Sequence, residues 1–334
     1  MSDAPTMGSD VSVDDLSEIE ATLPGHEVHD PTISTIDGGP TWREFADGWD
    51  LFSDAVWSAT IAGAILGYLS VYVVLRRMVF VSAAITQAAG VGVALAFFAA
   101  IHLGFAIDPR LGATVASLAV AALVSRNWER AGLTREMVLG LLFALTSGLA
   151  VVIGSRISQE AHDVQAILFG TAVIVDPGDF RALAWVSAIV LTIQLWWYRG
   201  FTFASFDPLT ARVHRVPVAL LDLVLLGSIA LVVAQAASTL GALPAFALST
   251  LPAIAARLLV TRGPLLVTFV IAAVIGAAAG VAGYLLAFFW EMPVGATQTV
   301  VAGASVVIAV VIRALVRLVL RLIRGRTPAP SSAA

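Results

Sequence analysis

Residues 76–97 read RRMVFVSAAITQAAGVGVALAF. Two adjacent arginines, Arg76 and Arg77, end one long apolar run and begin another. Midway along the second run, Thr86 and Gln87 are the only strongly polar side chains for about two turns either way. A hydrocarbon core about 30 Å thick takes roughly 20 apolar residues per helical crossing. The arginine pair therefore marks a membrane face, and the run beyond it reads as a spanning helix with a polar pair inside.

The rest of the chain agrees with that reading. Of its 334 residues, 59% are hydrophobic and 13% charged, with a mean hydropathy of +0.91. A soluble domain of this size needs far more charge to cover its surface. The expectation is an all-α polytopic membrane protein. Nine apolar runs are read as spans, at 54–75, 78–104, 111–125, 137–154, 181–199, 217–236, 243–260, 264–289 and 298–320. Small residues crowd AGAILG (62–67), AAGVG (88–92) and IGAAAGVAG (275–283). They read as packing surfaces, because small side chains let helices approach closely in lipid.

Charge sets the orientation. The net charge of −4 hides a division, with acids crowded into residues 1–54 and arginines spread through the remainder; lysine and cysteine are absent. Without cysteine there are no disulfides and no thiolate metal sites. One set of junctions carries Arg76, Arg77, Arg126, Arg130, Arg135, Arg199, Arg212, Arg215, Arg257 and Arg262, and the last run ends in Arg313, Arg317, Arg321, Arg324 and Arg326. The alternate junctions carry Arg110, Arg156 and Arg181, offset by Asp108, Glu160, Asp163, Asp176, Asp179 and Glu291. Positive residues favour the cytoplasmic side, so the expected N-terminus is outside and the C-terminus cytoplasmic, in a plasma (inner) membrane.

Residues 1–40 are acidic and turn-rich, with no signal-peptide pattern, and read as a disordered tail. Residues 325–334 read as a second tail, leaving 54–324 as the membrane domain. Trp42, Phe45, Trp49 and Phe52 recur at spacings of three, four and three, which predicts an amphipathic interfacial helix over 41–53. The stretch QAILFGTAVIVDPGDF (165–180) is too short to cross before Pro177, so a short helix tucked into the outer mouth is expected there.

Catalytic patterns are missing. The chain has no HExxH, no GxSxG and no Walker A loop, so it does not bind ATP in the P-loop manner. His26, His29, His102, His162 and His214 lie in the tail, in loops or at a span end. His26 and His29, with Glu27 and Asp30, read as solvated tail. Asp222, about one and a half turns inside its run, is the clearest ionisable residue within a span; such an acid is a functional candidate by default, and near a helix end its structural reading is that water hydrates it or that it bonds a neighbour's backbone.

Four stretches in order carry a resemblance. GYLSVYVVLRRMVFVSAAITQAAGVGVALAF (67–97), ILFGTAVIVDPGDF (167–180), FDPLTARVHRVPVALLDLVLL (206–226), and the pair LGALPAFALSTLPAIAARLL (240–259) and EMPVGATQTVVAGA (291–304) resemble the membrane subunit of the zinc/manganese-type ABC importers. The resemblance implies a type II-like permease with no bound cofactor. Its implied partners are a second permease copy, a cytosolic ATPase that uses the ATP, an extracytoplasmic solute-binding protein and the lipid bilayer; nothing points to nucleic acid. It also implies that Phe206, Asp207, Pro208, Ala211 and Arg212 form the segment that meets the ATPase, with Asp207 and Pro208 starting a short helix.

In that family the second helix typically reads Gly-Asp-Ala-x-Ser-His-Ala, its Asp and His being the expected metal ligands. Aligned on Arg-Arg-Met, those positions are Ala83 and Gln87 here, with Thr86 in the Ser position, so the metal ligands are left unassigned. Three readings stay open. Gln87, Thr86 and backbone carbonyls give a metal weak contacts on its path; or the cargo is a chelated metal or other polar solute; or Gln87 only bonds between helices, worth about 1 kcal/mol. Two other functional classes are weighed against the importer. A carrier driven by an ion gradient needs a midplane carboxylate and has only Asp222; a membrane enzyme lacks any catalytic constellation.

Overall fold

A computed structural model describes residues 40–105, 107–126, 128, 132–157, 175–261 and 263–324, and every regular element among them is helical. The elements are α1 (Trp42–Asp47), α2 (Trp49–Leu75), α3 (Val79–Phe98), α4 (Pro109–Ser125), α5 (Arg135–Ile157), α6 (Pro177–Trp196), α7 (Tyr198–Phe206), α8 (Pro208–Val213), α9 (Val218–Thr239), α10 (Ala242–Leu248), α11 (Leu251–Leu259), α12 (Leu265–Phe289) and α13 (Val294–Arg324). A wider π-type turn, Ala99–Leu103, prolongs α3.

Local chemistry sets where these helices begin and end. Three start on an Asp-Pro pair. Asp108, Asp176 and Asp207 accept the backbone N–H of Arg110 (2.9 Å), Gly178 (2.7 Å) and Thr210 (3.0 Å), and the proline that follows gives up an N–H that a first helical turn leaves unpaired anyway. Three helices, α2, α8 and α12, close through a left-handed residue, Arg77, Arg215 and Glu291 (φ +56°, +59°, +51° in the same order). The N–H one residue further on reaches back, from Met78 to the Val73 carbonyl (2.8 Å), Val216 to Ala211 (3.0 Å) and Met292 to Ala287 (2.9 Å). This closure satisfies carbonyls that have no other partner at a helix end.

Eight helical stretches among the described residues are long and apolar enough to cross a membrane, the α10–α11 pair counting as one. The nine expected spans correspond to these eight plus α4. Its 17 residues are about 26 Å long, slightly less than the hydrocarbon core. Two expectations need redrawing. The helix read over 41–53 is divided at Gly48, and the span read as starting at 54 begins at Trp49. Phe45 turns inward, stacking on Phe52 (5.7 Å between ring centres) and meeting Phe288 (5.1 Å), so aromatic packing against the end of α12 sets the break. The run read as 243–260 is interrupted at Ser249 and Thr250, before Pro252. The segment over 165–174, both chain ends (1–39 and 325–334), and His26, His29 and His162 lie outside the described residues; Pro177 already belongs to α6.

The tightest packing joins α2 to α12. Ala59, Gly63 and Gly67 recur every four residues on α2, and Ala272, Gly276 and Gly280 do so on α12. A Cβ placed on Gly63 would fall 2.3 Å from the Gly276 carbonyl oxygen, and one on Gly276 would fall 2.1 Å from that of Gly63. Gly67 meets Ala272, and Gly280 meets Ala59, in the same way (2.4 Å each). The backbones therefore touch, and van der Waals contact along the seam supplies what a hydrophobic driving force cannot supply in lipid. Gly92 and Gly112 bring α3 and α4 together likewise.

Gly276→Val is expected to force the seam apart at a cost of about 1–3 kcal/mol, whereas Gly303→Ala, which has open space around it, leaves stability unchanged or slightly higher. Thermal unfolding of the two variants in one detergent checks this; equal midpoints would mean that the seam tolerates bulk.

Candidate functional site

The polar pair on α3 is split by the helix itself. Ala83 and Gln87, four residues apart, share one face and are both half-buried. Thr86 lies on a neighbouring face, buried, and its hydroxyl donates to the Ser82 carbonyl of its own helix (2.8 Å). That bond uses the donor of Thr86 locally. Gln87 makes no hydrogen bond among the described residues. Of the three expected pathway residues, the structure groups Ala83 with Gln87 and sets Thr86 apart.

One turn earlier, Ser82 is hydrogen-bonded through its hydroxyl to Ser249, at the break between α10 and α11. Ser249 also donates to the Phe246 carbonyl (2.7 Å), and the neighbouring Thr250 hydroxyl is buried without a partner. The interrupted helix thus presents hydroxyls to α3, and irregular backbone at membrane depth is tolerable because protein encloses it. Gln235 of α9 donates to Thr114 of α4 (3.1 Å), and Gln298 of α13 donates to the Gly280 carbonyl (3.1 Å). Both bridge helices. Ser249, Gln235 and Gln298 were not singled out from the sequence, although an isolated amide or hydroxyl in an apolar run is the signal that finds them.

The segment expected to meet the ATPase forms a compact knob. Asp207 caps α8, accepting the Thr210 hydroxyl as well as its N–H. The hydroxyl bond foremost, with the backbone bond behind it, holds the Asp207 carboxyl below its ordinary range. Ala211 is buried and anchors α8, while Arg212 is exposed. The outward face is apolar: Phe206 is 63% exposed, Leu209 73% and Val213 81%, at spacings of three and four.

Behind the knob lies a charged clamp. Arg76, the C-cap of α2, donates through Nη1 to Asp222 of α9 and through Nε to the Ser205 hydroxyl of α7 (2.8 Å). Arg76 is 11% and Asp222 33% exposed at the side chain. The acid singled out within a span is therefore neutralised by the arginine taken as a face marker, and three helices meet at that pair.

At the opposite end Arg110 of α4 pairs with Asp179 of α6 (2.9 Å) and with Asp108 (3.2 Å), so two of the outer acids are committed to one guanidinium. His102 stacks on Phe98 (4.4 Å). Among the described residues no three His, Cys, Asp or Glu side chains come together as a metal-holding group.

Comparison with known proteins bears on this arrangement. The chain is 26% identical over 261 residues to the manganese transport system membrane protein MntC of Halalkalibacterium halodurans, covering 78% of this chain and 87% of that protein. It is 26% identical over 257 residues to the chelated iron transport system membrane protein YfeD of Yersinia pestis, covering 77% and 84%. Among solved structures, a chain of PsaBC from Streptococcus pneumoniae in complex with Fab superposes with a TM-score of 0.69 at 24% identity, covering 80% of this chain and 95% of that one; this likeness speaks for the fold. A family model matches residues 49–313, which hold the α2–α12 seam, the polar face of α3, the clamp and the knob: the chain belongs to the ABC 3 transport family.

Proposed function

We propose that this chain is the permease of an importer for a divalent metal or its chelate, driven by a separate cytosolic ATPase. The observation that carries the reading is the apolar face of Phe206, Leu209 and Val213, displayed on a capped and anchored helix. Large exposed apolar side chains on a rigid element are the chemistry of a docking point. Family membership supplies the context, and the names of the relatives point to manganese, iron or chelated iron as cargo; zinc belongs to the same expectation. The knob faces the cytoplasm in this reading, with the N-terminus outside and the C-terminus inside, as the arginine distribution favours. A second permease copy and an extracytoplasmic binding protein complete the assembly.

The clamp is the mechanical link. Arg76 ties the knob's supporting helix, α7, to the end of α2 and to α9, so displacement of the knob by a partner is felt at two spanning helices. The cargo passes the Ala83–Gln87 face. One neutral amide per chain holds a divalent ion weakly, which suits a conduit that must release what it binds and equally suits a chelate that brings its own ligands. An ion-gradient carrier would need Asp222 to exchange protons, and Arg76 already occupies it.

Phe206→Ala is expected to weaken ATPase binding roughly tenfold or more and to uncouple hydrolysis from uptake in a chain that still folds; unaltered coupled uptake would place the docking point elsewhere. Gln87→His should change the order in which zinc, manganese and iron compete for uptake, and an unchanged order would return Gln87 to the packing residues. Arg76→Gln leaves Asp222 unpaired at a cost of about 1–3 kcal/mol. Amide exchange over residues 201–215 should then rise several-fold. Exchange equal to the parent chain's would show that the knob does not depend on the clamp. For Asp207, a carboxyl lowered in the folded chain stabilises at pH above its unfolded value, and that contribution fades as the pH falls through the lowered one; Asp207→Asn should remove this low-pH loss.

A further inference from the structure

Beside the knob, two arginines from different helices line a cavity of about 410 Å³: Arg257 of α11 and Arg313 of α13. The Thr261 and Thr268 side chains share its wall with Phe206, and Val71, Leu75 and Leu265 make the rest apolar. Arg313 also lines an adjoining recess of about 550 Å³ together with Arg317 and Arg321, flanked by Leu258, Ile312 and Val316. The two hollows meet at Arg313.

Three features of this place call for an anion. Arg313, Arg317 and Arg321 are spaced four apart on α13, where like charges on one face repel. None of them, nor Arg257, has a carboxylate partner among the described residues. The Nε of Arg313 is buried with no hydrogen-bond acceptor, and a desolvated guanidinium donor without a partner is costly. The planar fork of arginine matches the oxygens of a phosphate.

The surroundings say which phosphate. Helix α13 has 31 residues and is about 46 Å long, well beyond a 30 Å hydrocarbon core, so its arginine-bearing end reaches headgroup level. Along the same half Ile308, Leu315 and Leu318 are exposed. We propose that the two hollows joined at Arg313, between α11 and α13, bind the phosphodiester of an anionic phospholipid, with its acyl chains lying along this apolar flank. A basic hollow between helices at the membrane surface has the charge and the depth for such a headgroup. The bound lipid sits against Phe206, so its occupancy bears on the knob. The site requires only a bilayer and does not depend on the transport reading.

The test uses the full chain purified from nanodiscs of phosphatidylcholine mixed with phosphatidylglycerol, with retained lipid measured by native mass spectrometry. Phosphatidylglycerol should be retained in preference to phosphatidylcholine, and Arg257→Gln and Arg313→Gln should each weaken its retention roughly fivefold. Arg156→Gln, at the far end of α5, should leave it unchanged. Equal retention of the two lipids by the parent chain overturns the proposal, whether or not the variants fold. Displacement of phosphatidylglycerol by millimolar inorganic phosphate overturns it in favour of a free-anion site. Loss of self-association in Arg313→Gln, with lipid retention intact, overturns it in favour of contact with a second copy.

Discussion

Backbone contact between α2 and α12 is the constraint from which the rest of the arrangement follows. With no side-chain atoms at Gly63 and Gly276, each helix rests on the other's carbonyls. Dispersion falls off steeply with distance, so a seam without gaps is what lipid-embedded helices have in place of a hydrophobic drive. The seam sets the position of α2, and the left-handed turn at Arg77 then sets how α2 ends. That ending delivers Arg76 to Asp222 and Ser205. A packing contact in the bundle and the placement of an exposed knob are thus successive links of one chain of contacts.

Charge is handled differently at the two ends. At one, Arg110 gathers Asp108 and Asp179 and ties α4 to α6. At the other, one arginine is spent on the clamp while Arg257, Arg313, Arg317 and Arg321 stay without an acid among the described residues. Desolvating a charge is expensive unless it is paired, and arginines at a membrane surface find their partners in water or in headgroups. The end that carries the knob is therefore also the end with the unpaired arginines, and Phe206 borders both.

Along the bundle the polar groups are sparse and mostly neutral. Hydroxyls of Ser82 and Ser249 meet at the interrupted α10–α11 pair, while Gln235 and Gln298 bridge helices. Of the expected pair on α3, Gln87 alone keeps a polar group without a hydrogen bond among the described residues. In the proposed reading, a path with few fixed charges holds a passing ion loosely, which suits work done by a separate ATPase rather than by a proton-exchanging carboxylate.

Much of this was legible in the chain of letters, because it depends on neighbours in sequence. Apolar run lengths determine spans, Asp-Pro pairs determine helix starts, and the Phe206–Arg212 stretch carries its own cap and first-turn residue. Thr86 shows the limit: adjacent to Gln87 in sequence, it turns to another face and bonds to its own backbone. The break at Gly48 was hidden for a related reason, since it depends on Phe288, more than 200 residues away. By itself the sequence determined a membrane-spanning helical bundle and where most of its helices begin. Only the tertiary structure decided that Arg76 neutralises Asp222, that glycines of α2 meet glycines of α12, and that four arginines line two hollows joined at Arg313. Such pairings depend on which helix faces turn toward each other, and helical periodicity places residues on a face without naming the face opposite.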